Sequence, residues 1–195
     1  SALAKRVPVP ISVDTSKPAV ADRVLQEGAR IINDVTGLQN YPEMSRIIAR
    51  HGAGVVVMHM QGTPETMQDN PQYGDVVGDV LDFLRLSVEI AGSAGIASRS
   101  IAVDPGIGFG KTLEHNLKLI GSLGRFKVLD KPVLIGVSRK SFIGRILDLT
   151  EEERLEGSLA AGVAGVINGA DILRVHDVRA TVRAVRIAHA IREAG

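Results

Sequence analysis

The sequence predicts an α/β fold with a parallel sheet, and within that class a (β/α)8 or TIM barrel of which the chain holds the last six βα units. Short runs rich in Val, Ile, Leu and Ala alternate with longer helical stretches, which is the order of a parallel α/β sheet. The runs are apolar almost throughout, as strands covered on both faces are. Each run also ends in polar residues, and in a barrel such ends meet on one face.

Six runs are predicted to be strands, because each is short, rich in branched apolar residues and bounded by turn-forming residues. In chain order they are Ile11–Asp14, Arg30–Val35, Gly54–Met60, Ser100–Asp104, Pro132–Ser138 and Asp171–His176.

A helix is predicted after each strand. The third has the clearest pattern, since residues such as Val80, Leu84 and Ala91 give it a broad apolar face. Gly28 and Gly52 stand where two of the helices should end. The predicted ranges are Ala19–Glu27, Pro42–His51, Val76–Ala94, Leu113–Leu123, Gly157–Asn168 and Arg179–Ala194.

No composition shift or long linker divides the chain, so residues 1–195 are predicted to form a single domain. A complete barrel takes about 250 residues. Six units therefore fit a barrel without its first two, and an open six-stranded sheet is the alternative. The opening Ser1–Arg6 lacks an initiator Met and resembles the last turn of a helix. We expect the sequence to begin inside a larger, N-terminally incomplete domain.

Composition excludes several classes of function. The net charge is +1 and aromatic residues make up 3% of the chain, which argues against nucleic-acid binding. There is no cysteine, hence no disulfide framework or thiolate metal site. No apolar run reaches the roughly 20 residues that a membrane-spanning helix needs. No secretory signal opens the chain, and a cytoplasmic protein is predicted.

The most informative segment is Asp104–Thr112, in which a strand ends in a carboxylate and a glycine-rich loop with Lys111 follows. Glycines let the backbone approach a flat or phosphorylated ligand closely. A nucleotide P-loop requires four residues between its glycines, whereas Gly106 and Gly110 are separated by three. The loop therefore predicts a small-molecule site, and an anion site remains open.

All six predicted strands finish in polar side chains, which indicates one shared ligand site rather than six unrelated helix caps. These strand ends are Asp14-Thr15-Ser16-Lys17, Asn33-Asp34, Met58-His59-Met60-Gln61, Asp104, Ser138-Arg139-Lys140-Ser141 and Arg174-Val175-His176-Asp177.

The acceptors among them, Asp14, Asn33 and Asp104, suit a heterocycle that carries ring N–H and amino groups. His59 lies between two methionines, a position more typical of a packed histidine than of a ligand-binding one. No residues have metal-ligand spacing.

The cations at the strand ends divide into two groups. Arg174 and His176 are two residues apart on a predicted strand and so point the same way, which suits a phosphate or diphosphate. Pairing of Arg174 with a barrel carboxylate is the alternative. Arg139 and Lys140 are adjacent and project to opposite sides, so one of them is expected to enter the site.

At these residues the chain resembles the dihydropteroate synthase family, folate-pathway enzymes that sulfonamides inhibit. The resemblance runs from Pro10 to Asp177, with the family's blocks in the family's order. The blocks are Ser12-Val-Asp-Thr-Ser-Lys-Pro18, Ile32-Asn-Asp-Val35, Met58-His-Met-Gln-Gly62, Asp104-Pro-Gly-Ile-Gly-Phe-Gly-Lys111, Gly136-Val-Ser-Arg-Lys-Ser141 and Arg174-Val-His-Asp177.

The resemblance implies a dimeric TIM barrel. It implies a transferase that condenses 6-hydroxymethyl-7,8-dihydropterin diphosphate with 4-aminobenzoate and releases diphosphate with the help of Mg²⁺. It also implies the roles of individual residues: Asp14, Asn33, Asp104 and Lys140 for the pterin, Met58, Phe109 and Gly136 for the pocket walls, Ser141 for the aminobenzoate carboxylate, and Arg174 and His176 for the diphosphate. Lys140, Arg174 and His176 are predicted to take part in catalysis.

The chain also departs from the family pattern. The family's first strand block, with an asparagine associated with Mg²⁺, and its second unit, with loops that cover aminobenzoate, have no counterpart in this sequence. No metal ligand is therefore predicted within the chain itself. A pterin-binding methyltransferase is one alternative, and a catalytically silent pterin-binding domain is another if Ser1 is the true start.

Overall fold

The structure is a computed structural model that describes residues 3–194. These residues form six parallel strands and seven α-helices, with one helix after each strand and two helices between the last two strands. The strands are β1 (Ser12–Asp14), β2 (Ile31–Asp34), β3 (Gly54–Met58), β4 (Ile101–Asp104), β5 (Leu134–Ile135) and β6 (Ile172–Leu173). The α-helices are α1 (Pro18–Gln26), α2 (Pro42–Arg50), α3 (Val76–Ser93), α4 (Leu113–Gly121), α5 (Ser141–Leu147), α6 (Leu155–Ile167) and α7 (Val178–Glu193).

Each predicted strand and helix is present, and most boundaries agree to within a few residues. The larger differences surround β5 and β6, which are only two residues long because the chain leaves the sheet soon after each begins. The polar stretch after β5 turns into α5, a short helix that begins at Ser141 itself. A further irregular helical stretch, Leu123–Leu129, connects α4 to β5.

The strands follow one another in the sheet in chain order. Residues of β1, β2, β3 and β4 form one parallel ladder, β5 pairs with β6, and a parallel bridge from Val103 to Val133 joins the two parts. An open doubly wound sheet reverses its strand order at a switch point. A consecutive order without reversal is instead that of a barrel wall, so the barrel alternative is the one the topology supports.

The sheet is curved but is not closed. Residues of β1 and of β6 line the same cavity of about 790 Å³, together with residues from the four strands between them. Within residues 3–194 no sheet pairing joins β1 to β6. The side chains of Asp14 and Arg174 form an ion pair that links these two strands. The structure is therefore an incomplete barrel.

A single apolar core fixes helices α1 to α5 against the sheet. Val80 and Leu84 from α3 are fully buried, as are Leu119 from α4 and Phe126 from the stretch that follows it. They belong to the same cluster as Val57 of β3. Burial of such side chains is the main force that holds helices against a sheet. The helices thereby fix the strand ends, which carry the polar residues.

The first described residues, 3–6, form a turn in which the N–H of Arg6 donates to the carbonyl of Leu3 at 2.9 Å. The predicted helical turn Ser1–Arg6 is described only in this part, since Ser1 and Ala2 lie outside the described residues. In the described part of the chain, no helix has the length and hydropathy required to cross a bilayer.

Candidate pterin site at the strand ends

The carboxyl ends of the strands surround a cavity of about 270 Å³. Most of the predicted site residues line it, because parallel strands deliver their last residues to the same edge. The lining residues are Met58, Asp104, Ile107, Phe109, Gly136, Ser138, Lys140, Arg174, Val175 and His176. Asp14 and Asn33 line the larger cavity inside the sheet, which shares Arg174 with the first. Ser141 lies at the exposed start of α5 and lines neither cavity.

Asp104 is the buried carboxylate of the site. It ends β4, is 5% exposed, and accepts a hydrogen bond from the N–H of Gly106 at 2.8 Å. Burial raises the pKa of Asp104 to about 6, because a charged carboxylate is poorly solvated there. The Gly106 N–H and the charges of Lys111, Lys140 and Arg174 oppose this rise. Asp104 is therefore an acceptor whose charge depends on its cationic neighbours.

Asn33 supplies an acceptor that has no partner. It faces Asp14 across the β1–β2 register, and its side-chain N–H donates to Asp14 at 2.9 Å. Its carbonyl oxygen, Oδ1, is buried and accepts no hydrogen bond within the described part of the chain. A buried polar atom without a partner is costly. The amide is thus oriented by Asp14 and ready to accept from a ligand donor.

Arg174 is held by the carboxylate of Asp14. Both side chains are about half exposed, so the pair stabilises the fold little. The alternative that Arg174 pairs with a barrel carboxylate is thus realised in this structure. Arg174 also lines both cavities, so its guanidinium remains beside the place where a ligand anion would lie.

Lys140 enters the cavity, whereas its neighbour Arg139 turns away, as the sequence predicted for one of the two. The Nζ of Lys140 lies 4.1 Å from the ring centroid of Phe109, which is a cation–π contact. Burial lowers the pKa of Lys140, although the nearby Asp104 charge works against this. Arg139 instead makes a bidentate pair with Asp177, at 3.0 and 3.1 Å.

Arg139 also fixes the backbone beside Lys140. It has a φ of +57°, which L residues other than glycine adopt reluctantly. Its N–H donates to the hydroxyl of Ser158 at 2.8 Å, and its carbonyl accepts from the guanidinium of Arg154 at 3.0 Å. These bonds from α6 and the chain just before it hold the turn that directs Lys140 inward.

His176 is oriented by Ser138. Its Nδ1 lies 3.0 Å from the Ser138 hydroxyl, which also accepts from the His176 backbone N–H at 3.3 Å. Both residues line the cavity that contains Lys140 and Arg174. Lys140, Arg174 and His176 thus line one cavity together with Asp104, and basic side chains in such an arrangement are suited to an anionic group.

His59 is a packed histidine, in agreement with the interpretation of its sequence position. It is 6% exposed, and its ring meets that of Phe83 edge to face at 4.8 Å. Burial, together with the charge of Lys111, lowers the pKa of His59 to about 3. His59 is therefore neutral at physiological pH.

The glycine-rich loop is a rigid wall of the cavity rather than a phosphate cradle. The N–H of Gly106 donates to Asp104, that of Gly108 to Asn116 Oδ1 at 2.6 Å, and that of Phe109 to the Gly106 carbonyl at 3.1 Å. A phosphate cradle would leave such N–H groups free to bind the anion. The open alternative of an anion site in this loop is thus not supported.

Sequence reasoning missed the residues that fasten this loop from outside. The hydroxyl of Tyr73 donates to the Gly110 carbonyl at 2.7 Å, and the amide of Gln68 donates to the Gly108 carbonyl at 2.9 Å. The sequence indicates Lys111 only as a member of the glycine-rich loop, whereas in the structure its side chain is buried and 2% exposed. A basic residue directly after a glycine-rich loop was the one available signal for this buried position.

The chain is similar to known proteins of one family. The family described as "Pterin binding enzyme" matches residues 1–176. A dihydropteroate synthase of Escherichia coli K12 is 46% identical over 189 residues, which cover 97% of this chain and 67% of that protein. The chain spans about two thirds of the length of the curated relatives it matches.

Solved structures show the same similarity. A Yersinia pestis dihydropteroate synthase in a sulfonamide drug complex superimposes with a TM-score of 0.95 at 43% identity, and the match covers 100% of this chain and 70% of that one. Dihydropteroate synthase from Thermus thermophilus matches at 45% identity and a TM-score of 0.89 in two complexes, one with 6HMPPP and one with 4-aminobenzoate. These two matches cover 94% of this chain and 73% and 75% of those chains.

Proposed function

Because the chain belongs to the pterin-binding enzyme family and to its dihydropteroate synthase branch, we propose that it forms the pterin- and diphosphate-binding part of a dihydropteroate synthase. The reaction condenses 6-hydroxymethyl-7,8-dihydropterin diphosphate with 4-aminobenzoate to give 7,8-dihydropteroate and diphosphate. The relatives in complex with 6HMPPP and 4-aminobenzoate support both substrates.

One observation carries the proposal: acceptors and cations from different strands meet around connected cavities. Asp104 and the unpartnered Oδ1 of Asn33 suit the ring N–H and amino donors of a pterin. Arg174 and His176 face the same cavity and suit the diphosphate. Acceptors and cations in adjoining cavities fit a substrate that carries both a donor-rich ring and an anion.

The chemistry follows from charge. The bond between the pterin methylene carbon and the diphosphate oxygen breaks, and its electron pair leaves with the diphosphate. The amine of 4-aminobenzoate then forms the new C–N bond and loses a proton. Lys140, Arg174 and His176 stabilise the negative charge that develops on the leaving group. Phe109 and Met58 line the cavity that positions the ring.

Mg²⁺ stays a prediction from the resemblance. Among residues 3–194, no three acidic or histidine side chains come together as a metal site. The described residues do not fit a resident metal ion by themselves, and the proposed steps use none. The homodimer, the cytoplasmic location and the contact of Ser141 with aminobenzoate likewise remain predictions.

The methyltransferase alternative is less well supported by the site. Methyl transfer from a reduced folate releases no diphosphate, and it gives no reason for Lys140, Arg174 and His176 to line one cavity. Release of diphosphate from the dihydropterin diphosphate, compared with methyl transfer to a corrinoid, separates the two reactions.

The first test is calorimetric titration of the full chain with 6-hydroxymethyl-7,8-dihydropterin diphosphate, accompanied by an assay for diphosphate release with 4-aminobenzoate. We expect binding that Arg174→Ala weakens at least about tenfold through loss of a charge-assisted contact. Arg85→Ala is the matched control, since Arg85 lies on α3 and pairs with Asp82 in the same helix. No binding by the unaltered chain, or equal binding by both variants, would refute the proposed site.

A further inference from the structure

Lys111 is a buried cation that the proposed chemistry does not use. It follows the glycine-rich loop, is 2% exposed and does not line the cavity. Its Nζ lies 3.0 Å from Nδ1 of His59 and donates to the carbonyl of Phe109 at 2.9 Å. A buried lysine without a function is disfavoured, because removing an ammonium group from water is costly.

The partner of Lys111 on the adjacent strand end is a fixed acceptor. His59 is neutral, so the Lys111 ammonium donates to its Nδ1 and the ring proton lies on Nε2. The His59 ring is held by Phe83, and its backbone N–H donates to the Asp104 carbonyl at 3.0 Å. The ammonium therefore joins the end of β3 to the loop that follows β4.

Two residues of the cavity depend on this cation. The Phe109 carbonyl that Lys111 holds belongs to the residue whose ring contacts Lys140. The charge of Lys111 also acts on Asp104 and opposes the rise in the Asp104 pKa that burial causes. Lys111 is thus coupled to the cavity through one backbone contact and through one electrostatic interaction.

We propose that Lys111 is a positioning residue of the pterin site, which holds Phe109 in place from the buried side of the loop and keeps Asp104 ionised as an acceptor for the pterin. The part that concerns the pterin rests on the proposed function.

Other charged groups limit the expected size of the effect. Asp104 is also influenced by Lys140 and Arg174, and Arg174 is paired with Asp14. Lys111 itself is influenced by Asp104 and Lys140, and burial lowers its pKa to about 7. Loss of Lys111 therefore removes one of three cations near Asp104, and the Asp104 pKa should rise by about one unit.

The decisive measurement needs no ligand. The carboxyl carbon of Asp104 is titrated by NMR in the full chain, in Lys111→Met, in Lys111→Arg and in Lys118→Met. Lys118 is the matched control, because it is 56% exposed on α4 and pairs with Asp75 at the surface. We expect the midpoint to rise by about one pH unit in Lys111→Met only, since the arginine keeps the charge. An unchanged midpoint in Lys111→Met overturns the electrostatic part of the proposal.

A measurement on the unaltered chain keeps the proposal testable if Lys111→Met does not fold. The nitrogen-15 shifts of His59 report which ring nitrogen carries the proton. We expect an unprotonated Nδ1 and a protonated Nε2 at pH 7. A proton on Nδ1 would rule out the hydrogen bond from Lys111 and with it the proposed contact.

Pterin binding provides the functional test. In calorimetric titrations with the dihydropterin diphosphate, Lys111→Met should bind about twofold more weakly at pH 7 and about tenfold more weakly at pH 5, because a smaller fraction of Asp104 is ionised. The pH below which binding is lost should move up by the same amount as the Asp104 midpoint. Lys111→Arg should recover the pH profile. Equal profiles for Lys111→Met and the unaltered chain would overturn the role in pterin binding. If the unaltered chain bound no pterin, the proposed function would fail, while the ligand-free titration would still decide whether Lys111 keeps Asp104 ionised.

Discussion

At the scale of single residues, the unfavourable burial of polar groups is confined to a few side chains in the described part of the chain. Asp104 is an almost fully buried carboxylate with a raised pKa, and Asn33 carries a buried oxygen without a partner. Both features destabilise the ligand-free fold. Unfavourable positions of this kind are frequent at functional sites, because a ligand supplies the missing interactions.

Because burial of the charged Asp104 carboxylate is unfavourable, we expect Asp104→Asn to stabilise the protein. The folded pKa of Asp104, about 6, is higher than its unfolded value, so its contribution to stability is present at low pH and is lost as the pH rises through 6. The rise of the Asp104 pKa from 3.8 to about 6 corresponds to roughly 2–3 kcal/mol. This figure is an upper limit for the stabilisation, because Lys111 loses its counter-charge in the variant. In urea unfolding, the advantage of Asp104→Asn should be larger at pH 8 than at pH 5.

Asp82→Asn is the control for this comparison, since Asp82 is largely exposed on α3. Its unfolding free energy should follow that of the unaltered chain at both pH values. The prediction would be wrong if Asp104→Asn had a lower unfolding free energy than the unaltered chain at pH 8.

At the scale of elements, the loops that follow β3 and β4 pack closely against each other. The glycine-rich loop lies so close to the segment after β3 that a Cβ atom at Gly106 would overlap the His59 carbonyl oxygen. Gly106 also has a φ of +71°, in the region that favours glycine. The close approach brings Tyr73 and Gln68 within hydrogen-bond distance of the loop, and it brings His59 within 3.0 Å of the Lys111 ammonium.

Gly106→Ala should therefore be strongly destabilising, by about 2–4 kcal/mol, because it combines backbone strain with overpacking. The matched control is Gly121→Ala at the end of α4, where an added Cβ atom meets nothing within 4 Å. We expect that control to change the unfolding free energy by no more than about 0.5 kcal/mol. Urea unfolding measures both, and equal values for the two variants would contradict the argument.

The turn that directs Lys140 gives a second prediction at this scale. Arg139→Ala and Arg139→Gly both lose the bidentate pair with Asp177, at a cost of about 1–2 kcal/mol. Only the glycine variant relieves the strain of a φ of +57°. Arg139→Gly should accordingly be more stable than Arg139→Ala by about 1 kcal/mol.

Thermal or urea unfolding compares the two Arg139 variants, with the exposed Arg145→Ala on α5 as a surface control. If Arg139→Ala proved as stable as Arg139→Gly, the backbone at this turn would not be strained. If both matched the control, the pair with Asp177 would contribute nothing.

At the scale of the whole molecule, the sheet is well formed in its middle and weakly formed at its ends. Residues 55–58 of β3 are all buried, and β3 pairs with strands on both sides. β1 and β6 are short, and each has a partner on one side only within residues 3–194. Outer strands with few buried apolar contacts open locally at lower cost than central ones.

Hydrogen exchange should show this gradient directly. Backbone amides of β2 and β3 should exchange at least about tenfold more slowly than those of β1 and β6. Addition of the dihydropterin diphosphate should slow exchange most at the ends of β1 and β6, since Asp14 and Arg174 lie at these strand ends. Uniform protection across the six strands, or no change at those two ends with the ligand bound, would count against this description.

The amino-acid pattern is enough to predict the order of the strands and helices, the parallel class of the sheet and most residues that line the candidate site. It could do so because apolar periodicity marks the buried faces, and because the ends of parallel strands meet at one edge. The predicted residues Met58, Asp104, Phe109, Gly136, Lys140, Arg174 and His176 line one cavity for this reason.

The support of those residues becomes visible only in the folded arrangement of the chain. The pairing of Arg174 with Asp14, the turn of Arg139 toward Asp177 and the burial of Lys111 against His59 join residues that are far apart in the chain. Local pattern carries no information on such contacts, because their energies depend on distance, burial and the dielectric surroundings of each pair. The sequence thus specified which groups reach the site, and packing specified their charge and direction.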